Sequence, residues 1–204
     1  TPLDVGHDLY ALDASMIDLS LALCPWANWT GTDAAVKLHT ALDLRGPIPA
    51  FFNITPATYG DVCWLDELPI EPGAFYIMDR GYIDFRRLRR IAEAGAFFVI
   101  RDRPDVRYYV AASRRVDRTT NLRSDQSIRL NGTDAPKHWP GLLRRVSLYD
   151  FEHSRRLAFW TNQWAVSAAI IAELYRHRWQ IELFFRWIKC ILGCRHWLAE
   201  SPEG

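Results

Sequence analysis

Three carboxylates in this sequence stand where they could act together on a charged substrate. Glu182 lies in a run without Gly or Pro, at residues 167–192, which predicts one long helix. Asp13 and Asp79 each follow a short apolar run, so we expect both at the ends of strands. Carboxylates that share one pocket repel each other unless a cation joins them. Because hard oxygen ligands favour Mg²⁺ or Mn²⁺, the three acids predict a divalent-metal site.

A carboxylate site of this kind has a defined chemistry. Two divalent ions can activate a water molecule or a 3′-hydroxyl group and stabilise the leaving oxygen of a phosphodiester. We therefore interpret Asp13, Asp79 and Glu182 as catalytic residues and as ligands of two Mg²⁺ or Mn²⁺ ions. Each acid also has an ordinary structural explanation, as a turn residue for the aspartates and as an ion-pair partner for the glutamate.

The predicted helix carries a polar face next to an apolar stripe. At about 100° per residue, a tyrosine, an acid and three bases share an arc of roughly 80°. These residues are Tyr175, Arg178, Glu182, Arg186 and Lys189. The stripe that we expect to pack on a core consists of Ile170, Leu174, Ile181, Phe185, Ile188 and Leu192. The alternative is a solvated face on which Glu182 forms i,i+4 ion pairs with Arg178 and Arg186.

Charge is distributed unevenly along the chain. Residues 1–80 contain 3 Lys and Arg against 11 Asp and Glu, whereas residues 81–204 contain 22 against 13. The formal net charge is only +1, so the asymmetry rather than the total favours a polyanionic partner. The bases of the helix face, together with Arg80, suit the phosphate groups of a nucleic acid. Ordinary surface arginines are the alternative.

Composition limits the class of protein. A chain of 204 residues that is 49% hydrophobic can bury a sizeable core. It contains no run of about 18 apolar residues, so we expect no transmembrane helix, and its first residues do not resemble a secretory signal. Four cysteines in a chain of this length indicate reduced thiols in the cytosol. Cys190, Cys194 and His196 are close in sequence, but their spacing matches no common zinc site.

The elements that must position the three acids predict an α/β domain. We expect core strands at residues 9–13, 36–42, 50–55, 74–78 and 96–100, with helical segments at residues 59–68 and 83–94. A β-rich basic insertion follows at residues 102–164, with strands at residues 106–111, 142–149 and 155–160 and polar turns between them. The core is therefore predicted to begin with residues 1–101 and to be completed by residues 165–204.

The spacing on the helix resembles a known signature. Residues 175–189 are similar to the Y-x2-R-x3-E-x6-K signature of DDE transposases of the insertion sequence 4 family. The segment LYALDASMIDLSL around Asp13 resembles that family's first-acid segment, and YIMDRGYIDF around Asp79 resembles its second. The segment VKLHTALDLRG resembles the family's second and third strands. The resemblance thus covers nearly the whole chain.

The resemblance implies a fold and a reaction. The fold is a ribonuclease-H-like core, a mixed sheet flanked by helices, with a β-rich insertion before the final catalytic helix. The reaction is metal-dependent cleavage of transposon-end DNA to give a 3′-hydroxyl, followed by strand transfer into target DNA. Tyr175, Arg178 and Lys189 would contact the transposon end. Some relatives stack a flipped base on a tryptophan of the insertion. The candidates here, each of which also fits a core or surface role, are Trp139, Trp160 and Trp164.

The resemblance also implies partners and a location. We expect transposon ends and target DNA as partners, a homodimer in the synaptic complex, no membrane, and a bacterial cytoplasm with association to the nucleoid. Related transposases carry an N-terminal DNA-binding region and additional C-terminal helices, so we expect this chain to be the catalytic part of a longer protein. Two other functions stay open: a metal-dependent nuclease that only cuts, and a truncated DNA-binding protein that interferes with a longer partner.

Overall fold

The computed structural model describes residues 6–19, 34–117 and 119–191. The chain forms two compact units, each built from separate stretches of sequence. The large-sheet unit comprises Thr1–Leu9 and Pro69–His177, and the hairpin unit comprises Tyr10–Leu68 and Arg178–Gly204. A site within either unit therefore combines residues that are far apart in the chain.

Nine strands and four α-helices lie within the described ranges, which makes the structure mixed α/β as expected. The strands are β1 (Leu9–Leu19), β2 (Ala34–Asp43), β3 (Ile48–Pro56), β4 (Phe75–Met78), β5 (Phe97–Arg101), β6 (Tyr108–Arg114), β7 (Leu122–Leu130), β8 (Leu142–Asp150) and β9 (Arg155–Thr161). The helices are α1 (Phe85–Glu93), α2 (Ala135–His138), α3 (Ala168–His177) and α4 (Trp179–Ile191). None of the helices found there is long and apolar enough to cross a membrane.

The hairpin unit contains an antiparallel sheet in the order β3-β2-β1. The predicted hairpin of β2 and β3 is confirmed, although both strands are longer than the alternating apolar pattern indicated. In the turn between them, Asp43 accepts a hydrogen bond from the Arg45 backbone amide at 2.9 Å and pairs with the Arg45 guanidinium. This local pairing keeps the turn tight, as expected for an Asp that begins a turn.

A short 3₁₀ segment, Asp61–Asp66, covers the other end of this hairpin. Trp64 and Leu65 are buried, as predicted for the helical segment at residues 59–68. The ring of Trp64 stacks on His39 of β2 with 5.4 Å between ring centroids. Lys37 of β2 adds an ion pair with Asp61 at 2.8 Å. Aromatic stacking and this ion pair together hold the segment on the sheet.

The large-sheet unit contains six strands in the order β4-β5-β9-β8-β7-β6. β4 and β5 are parallel and the remaining pairs are antiparallel, so the sheet is mixed. All four residues of β4 are buried, which explains why its sequence is a continuous apolar run rather than an alternating one. Helix α3 packs against this sheet. It contributes three buried residues: Ala168, Ile171 and Leu174.

Helix α1 is defined by its cap and its apolar spacing. The Asp84 side chain accepts hydrogen bonds from the backbone amides of Arg86 and Arg87, which satisfies two free donors at the helix start. Its buried residues are Phe85, Leu88 and Ile91. Gly95, with φ of +77°, allows the chain to leave the helix in the left-handed conformation. The predicted helix and its glycine stop are confirmed.

The sequence pattern missed strand β7, whose residues it predicts to be a polar turn, and the short helix α2 in the next polar segment. Asp125 and Ser127 of β7 are buried and hydrogen-bonded: Arg144 of β8 contacts the Asp125 carboxylate through two nitrogens, at 2.9 and 2.8 Å. Arg114 donates to Ser127 at 3.0 Å. A buried polar group is stable when it is paired, and this pairing is visible only in the fold.

Sequence composition predicts a core that is interrupted by an insertion at residues 102–164. The compact units instead divide the chain after Leu9, Leu68 and His177. Strands assigned to the insertion continue the core sheet of their unit, since β9 pairs directly with β5 through Val99 and Thr161. The large-sheet unit therefore contains one sheet where composition indicated a core and an insert.

The single helix predicted for residues 167–192 is wrong. This segment forms two helices, α3 and α4, with a turn at Arg178 between them. The Ile181 amide donates to the Arg178 carbonyl at 3.1 Å, three residues back, which is the hydrogen bond of a tightened first turn. The segment has no Gly or Pro to mark this break. The arc calculated for a continuous helix therefore does not apply across Arg178.

Candidate active site

Helix α4 packs on β1 and β2 within the hairpin unit. Ile181 and Phe185 are buried against Ala11 of β1 and Leu42 of β2. This confirms that the apolar stripe of α4 docks on a core. Alternate residues of a strand share a face, so Asp13 lies on the face of β1 that Ala11 presents to the helix. Packing thus brings the start of α4 to the side of β1 that bears an acid.

Arg178 joins two of the three predicted catalytic acids. Its Nη1 lies 3.3 Å from Asp13 Oδ2, and its Nη2 hydrogen-bonds to Glu182 Oε1. The side chains of Asp13, Arg178 and Glu182 are 26%, 15% and 54% exposed. One guanidinium therefore lies between two carboxylates, in charge-assisted contacts that neutralise part of their mutual repulsion. The structure brings Asp13 and Glu182 together around a cation.

Asp13 is not at a strand end, which corrects the sequence prediction. Strand β1 continues to Leu19 because it pairs with β2 along its length, from Tyr10↔Asp43 to Leu19↔Ala34, and Asp13 lies opposite Thr40. Its Oδ1 accepts a hydrogen bond from the Ala14 backbone amide at 2.9 Å. A charged residue is tolerated in mid-strand because its side chain is only half-buried and is paired.

The contacts of Arg178 also decide between the two interpretations of the helix face. The i,i+4 ion pair of Glu182 with Arg178 is confirmed. No ion pair of Arg186 occurs within the part of the chain that the structure describes, and Arg186 is exposed. Lys189 is partly exposed. Arg178 is thus an ion-pair partner in this structure, whereas Arg186 and Lys189 present charge to solvent.

Asp79 lies in the large-sheet unit, directly after β4, as the sequence predicted. Its Oδ1 accepts a hydrogen bond from the Gly81 amide at 2.8 Å and so caps the 3₁₀ turn Arg80–Tyr82. A Cβ added to Gly81 would lie 3.0 Å from the same oxygen, so the glycine makes room for the carboxylate. Arg80 is exposed beside it. The turn therefore holds Asp79 in a defined orientation.

Tyr175 lies on α3 in the large-sheet unit. Its ring packs on Phe159 of β9 with 4.4 Å between centroids and 30° between planes, and the residue is half-buried. The aromatic body therefore serves the packing of α3, as in other tyrosines with one buried side. Because Tyr175 precedes the turn at Arg178, it does not continue the face of α4.

The three candidate tryptophans differ in exposure. Trp160 is completely buried and Trp139 nearly so, which makes both of them packing residues in this structure. Trp160 packs on Phe85 at 5.8 Å, and Trp139 on Phe98 at 5.6 Å. Trp164 is 41% exposed, and the Arg114 guanidinium lies 5.0 Å from its ring centroid. Base stacking without rearrangement is therefore open only to Trp164.

Sequence reasoning missed one group of possible metal ligands. Asp150 at the end of β8 and Glu152 and His153 in the turn after it have ligand atoms within 4.8 Å of one another. Asp150 already pairs with His153 at 2.9 Å and with Arg155 at 3.1 Å. This surface turn has local ion pairs that explain the cluster. Of the cysteine and histidine group, Cys190 is exposed, and Cys194 and His196 lie outside the described residues.

Part of the positive charge in residues 81–204 is neutralised by ion pairs at α1. Arg87 pairs with Asp84 at 2.7 Å, and Arg89 pairs with Glu93 at 2.6 Å. Both are contacts within one turn, as expected for i,i+3 and i,i+4 pairs. Arg86, in contrast, is exposed and has no ion pair within the described ranges. The count of arginines in this helix therefore overstates the charge available to a polyanion.

The chain is similar to known proteins over most of its length. Residues 5–204 match the family described as Transposase DDE domain. The chain is 35% identical over 200 residues to the Sinorhizobium fredii (strain NBRC 101917 / NGR234) protein y4zB, whose name describes it as a transposase. It is 28% identical over 187 residues to a Geobacillus stearothermophilus protein named as a transposase for insertion sequence element IS5377.

The matches cover a larger share of this chain than of its relatives. They cover 96% and 91% of this chain but only 55% and 48% of the relatives, so the chain spans about half the length of the curated relatives it matches. The family match runs over almost all of the sequence, including Asp13, Asp79 and Glu182. The chain belongs to the DDE transposase domain family.

Proposed function

We propose that this chain is the catalytic domain of a transposase of the insertion sequence 4 type. It cleaves transposon-end DNA in a divalent-metal-dependent reaction and joins the resulting 3′-hydroxyl to target DNA. The underlying fold is a ribonuclease-H-like core. Family membership supports the general assignment, and the signature at residues 175–189 supports this finer one.

The observation that carries the proposal is the pairing of Asp13 and Glu182 with one guanidinium. Two carboxylates that come together around a cation form a site that needs positive charge. Their donor atoms are oxygens, and Glu182 is more than half exposed, so solvent ions can reach it. This donor set fits Mg²⁺ or Mn²⁺ better than a softer metal.

Each residue has a separate role in the proposal. Asp13, Asp79 and Glu182 would hold the metal, which would supply an activated oxygen nucleophile and stabilise the leaving oxygen of the phosphodiester. The turn at Gly81 orients the Asp79 carboxylate. The packing of Ile181 orients the first turn of α4, from which Glu182 projects.

The DNA contacts of the proposal rest on charge that the protein leaves exposed. Arg186, Lys189 and Arg80 present positive groups to solvent or to its edge, and such groups contact phosphates regardless of base sequence. Trp164 is the candidate for stacking on an unpaired base. The partners are transposon ends and target DNA, bound by a homodimer.

Cleavage is tested with supercoiled plasmid, Mn²⁺ and the purified chain. We expect nicking by the native chain and loss of nicking in Asp79→Asn and Asp13→Asn, because each removes a charged metal ligand. Lys137→Gln, a change of surface charge on α2, is the control and should nick normally. Nicking that persists in both aspartate variants would rule out the proposed active site.

Joining is tested separately, with pre-cleaved duplexes whose ends are taken from the DNA on either side of the reading frame. Each duplex carries a free 3′-hydroxyl and is incubated with target plasmid and Mn²⁺. Covalent joining of a duplex to the plasmid supports a transposase. Cutting without joining supports instead a nuclease with the same acids. Tight binding of these duplexes in chelator, with neither reaction in Mn²⁺, supports a DNA-binding protein without catalysis.

A further inference from the structure

We propose that Arg178 takes the place of a metal ion. Its guanidinium binds Asp13 and Glu182 in the metal-free protein, and a divalent ion displaces it. The inference rests on the proposed function, since it takes these two acids to be metal ligands. It adds that Arg178 and the metal compete for the same carboxylates. Metal binding would therefore move the Arg178 side chain from one position to another.

The geometry supports competition because Arg178 uses the same oxygens that a metal needs. One terminal nitrogen faces Asp13 Oδ2 and the other contacts Glu182 Oε1. A guanidinium does not lose its proton near neutral pH, so it cannot share these oxygens with a dication by becoming neutral. Metal binding therefore requires the Arg178 side chain to move away from at least one carboxylate.

The contacts are of a kind that can be displaced. Glu182 is 54% exposed and Asp13 is 26% exposed, so solvent weakens both ion pairs. Arg178 begins the turn before α4, where its backbone is outside the regular helix. A dication with two hard oxygen ligands gains more from this site than a single diffuse positive charge does. Displacement of the arginine is thus favourable once the ion is present.

A purely positioning role makes the opposite prediction. If Arg178 only holds Asp13 and Glu182 in the geometry that the metal requires, its removal scatters the carboxylates and weakens metal binding. If Arg178 competes with the metal, its removal takes away the positive group that competes for the carboxylate oxygens, and metal binding becomes tighter. The direction of the change in affinity therefore separates the two roles.

The experiment is a calorimetric titration of Mn²⁺, without DNA, into the native chain, Arg178→Gln and Lys137→Gln. We expect Arg178→Gln to bind Mn²⁺ about tenfold more tightly than the native chain, because two partly exposed ion pairs no longer have to be broken. Lys137→Gln removes one exposed positive charge from α2, in the large-sheet unit, so its Kd should change by less than about threefold.

Arg178→Lys is the second variant, and it keeps the proposal testable if the glutamine variant does not fold. A lysine keeps the charge but lacks the fork that reaches two carboxylates, so we expect Mn²⁺ binding about threefold tighter than in the native chain. Thermal unfolding in chelator confirms that each variant is folded.

The outcomes distinguish this inference from the proposed function. Equal or weaker Mn²⁺ binding by folded Arg178→Gln, or by Arg178→Lys where only that variant folds, overturns the competition and leaves the metal site standing. Absence of binding in the native chain and in the Arg178 variants overturns both. Binding that appears only after Arg178 is replaced supports the competition in its strongest form.

Discussion

Arg178 and Asp13 are 165 positions apart in the sequence, and Arg178 Nη1 lies 3.3 Å from Asp13 Oδ2. The same guanidinium contacts Glu182, one helical turn further along the chain. A strand near the start of the sequence and a helix near its end therefore place an acid–base–acid group within one unit.

The first prediction concerns the contact that fixes α4 on its sheet. Ile181 is fully buried against Ala11 and Leu42, so Ile181→Ala removes packing at the turn that carries Glu182. We expect the free energy of unfolding to fall by about 2–5 kcal/mol, which denaturant titration measures. Mn²⁺ affinity should fall with it, because Glu182 loses its fixed position.

Leu183→Ala is the matched control for this prediction. Leu183 lies two positions further along α4 but is exposed, so its truncation should change the free energy of unfolding by less than about 1 kcal/mol. Equal destabilisation by the two variants would show that burial of Ile181 is not what holds α4.

The second prediction concerns the glycine that admits the Asp79 carboxylate. In Gly81→Ala the new Cβ would lie 3.0 Å from Asp79 Oδ1, so the carboxylate must move by a few tenths of an ångström. We expect Mn²⁺-dependent nicking to fall by about tenfold, because small displacements of reacting groups are costly. Gly46→Ala is the control, since no atom lies within 4 Å of its added Cβ. Full activity in Gly81→Ala would contradict a metal-binding role for Asp79.

The third prediction concerns pH and the buried His39. Burial, the largest cause, lowers the pKa of His39 below 6.5; Asp61 and Glu67 oppose this, and Lys37 adds to it. The neutral ring, with Nε2 2.9 Å from Thr55 Oγ1, is therefore the stable form in the folded protein. Stability from His39 is complete above pH about 6.5 and is lost as the pH falls below that value, because the unfolded chain then binds more protons.

Denaturant titrations at pH about 7.5 and about 5.5 measure this loss. The native chain should lose stability on acidification, and His39→Gln should lose less, because it has no ring to protonate. The carboxylates titrate in both proteins. The difference between the two changes in free energy of unfolding with pH is therefore due to His39. Identical changes would mean that His39 does not control the pH dependence.

Sequence patterns predicted the elements whose structure depends on residues close together in the chain. The apolar run of β4 and the alternation of β2 predicted strands, and the cap at Asp84 with the stop at Gly95 agrees with the predicted helix α1. Asp79 was expected at a strand end and lies there. In each case the decisive contacts are between neighbours in sequence, so local propensity and periodicity contain the information.

Features that depend on distant partners were not predictable from pattern. The break at Arg178 has no Gly or Pro, and β7 contains buried polar residues that become favourable only when Arg144 and Arg114 pair with them. The position of Asp13 in mid-strand depends on how far β1 pairs with β2. For the candidate site, residue identity and spacing predicted three acids, and the fold adds that Arg178 lies between two of them.

The measurement that tests the account most directly is calorimetric titration of Mn²⁺ into Glu182→Gln. We predict that the native chain binds Mn²⁺ and that Glu182→Gln binds it at least about tenfold more weakly, because one charged oxygen ligand is lost. Glu173→Gln, which removes an acid of α3 that pairs with Arg176 and His177, should bind as the native chain does. Mn²⁺ binding by Glu182→Gln with unchanged affinity would contradict the assignment of Glu182 as a metal ligand.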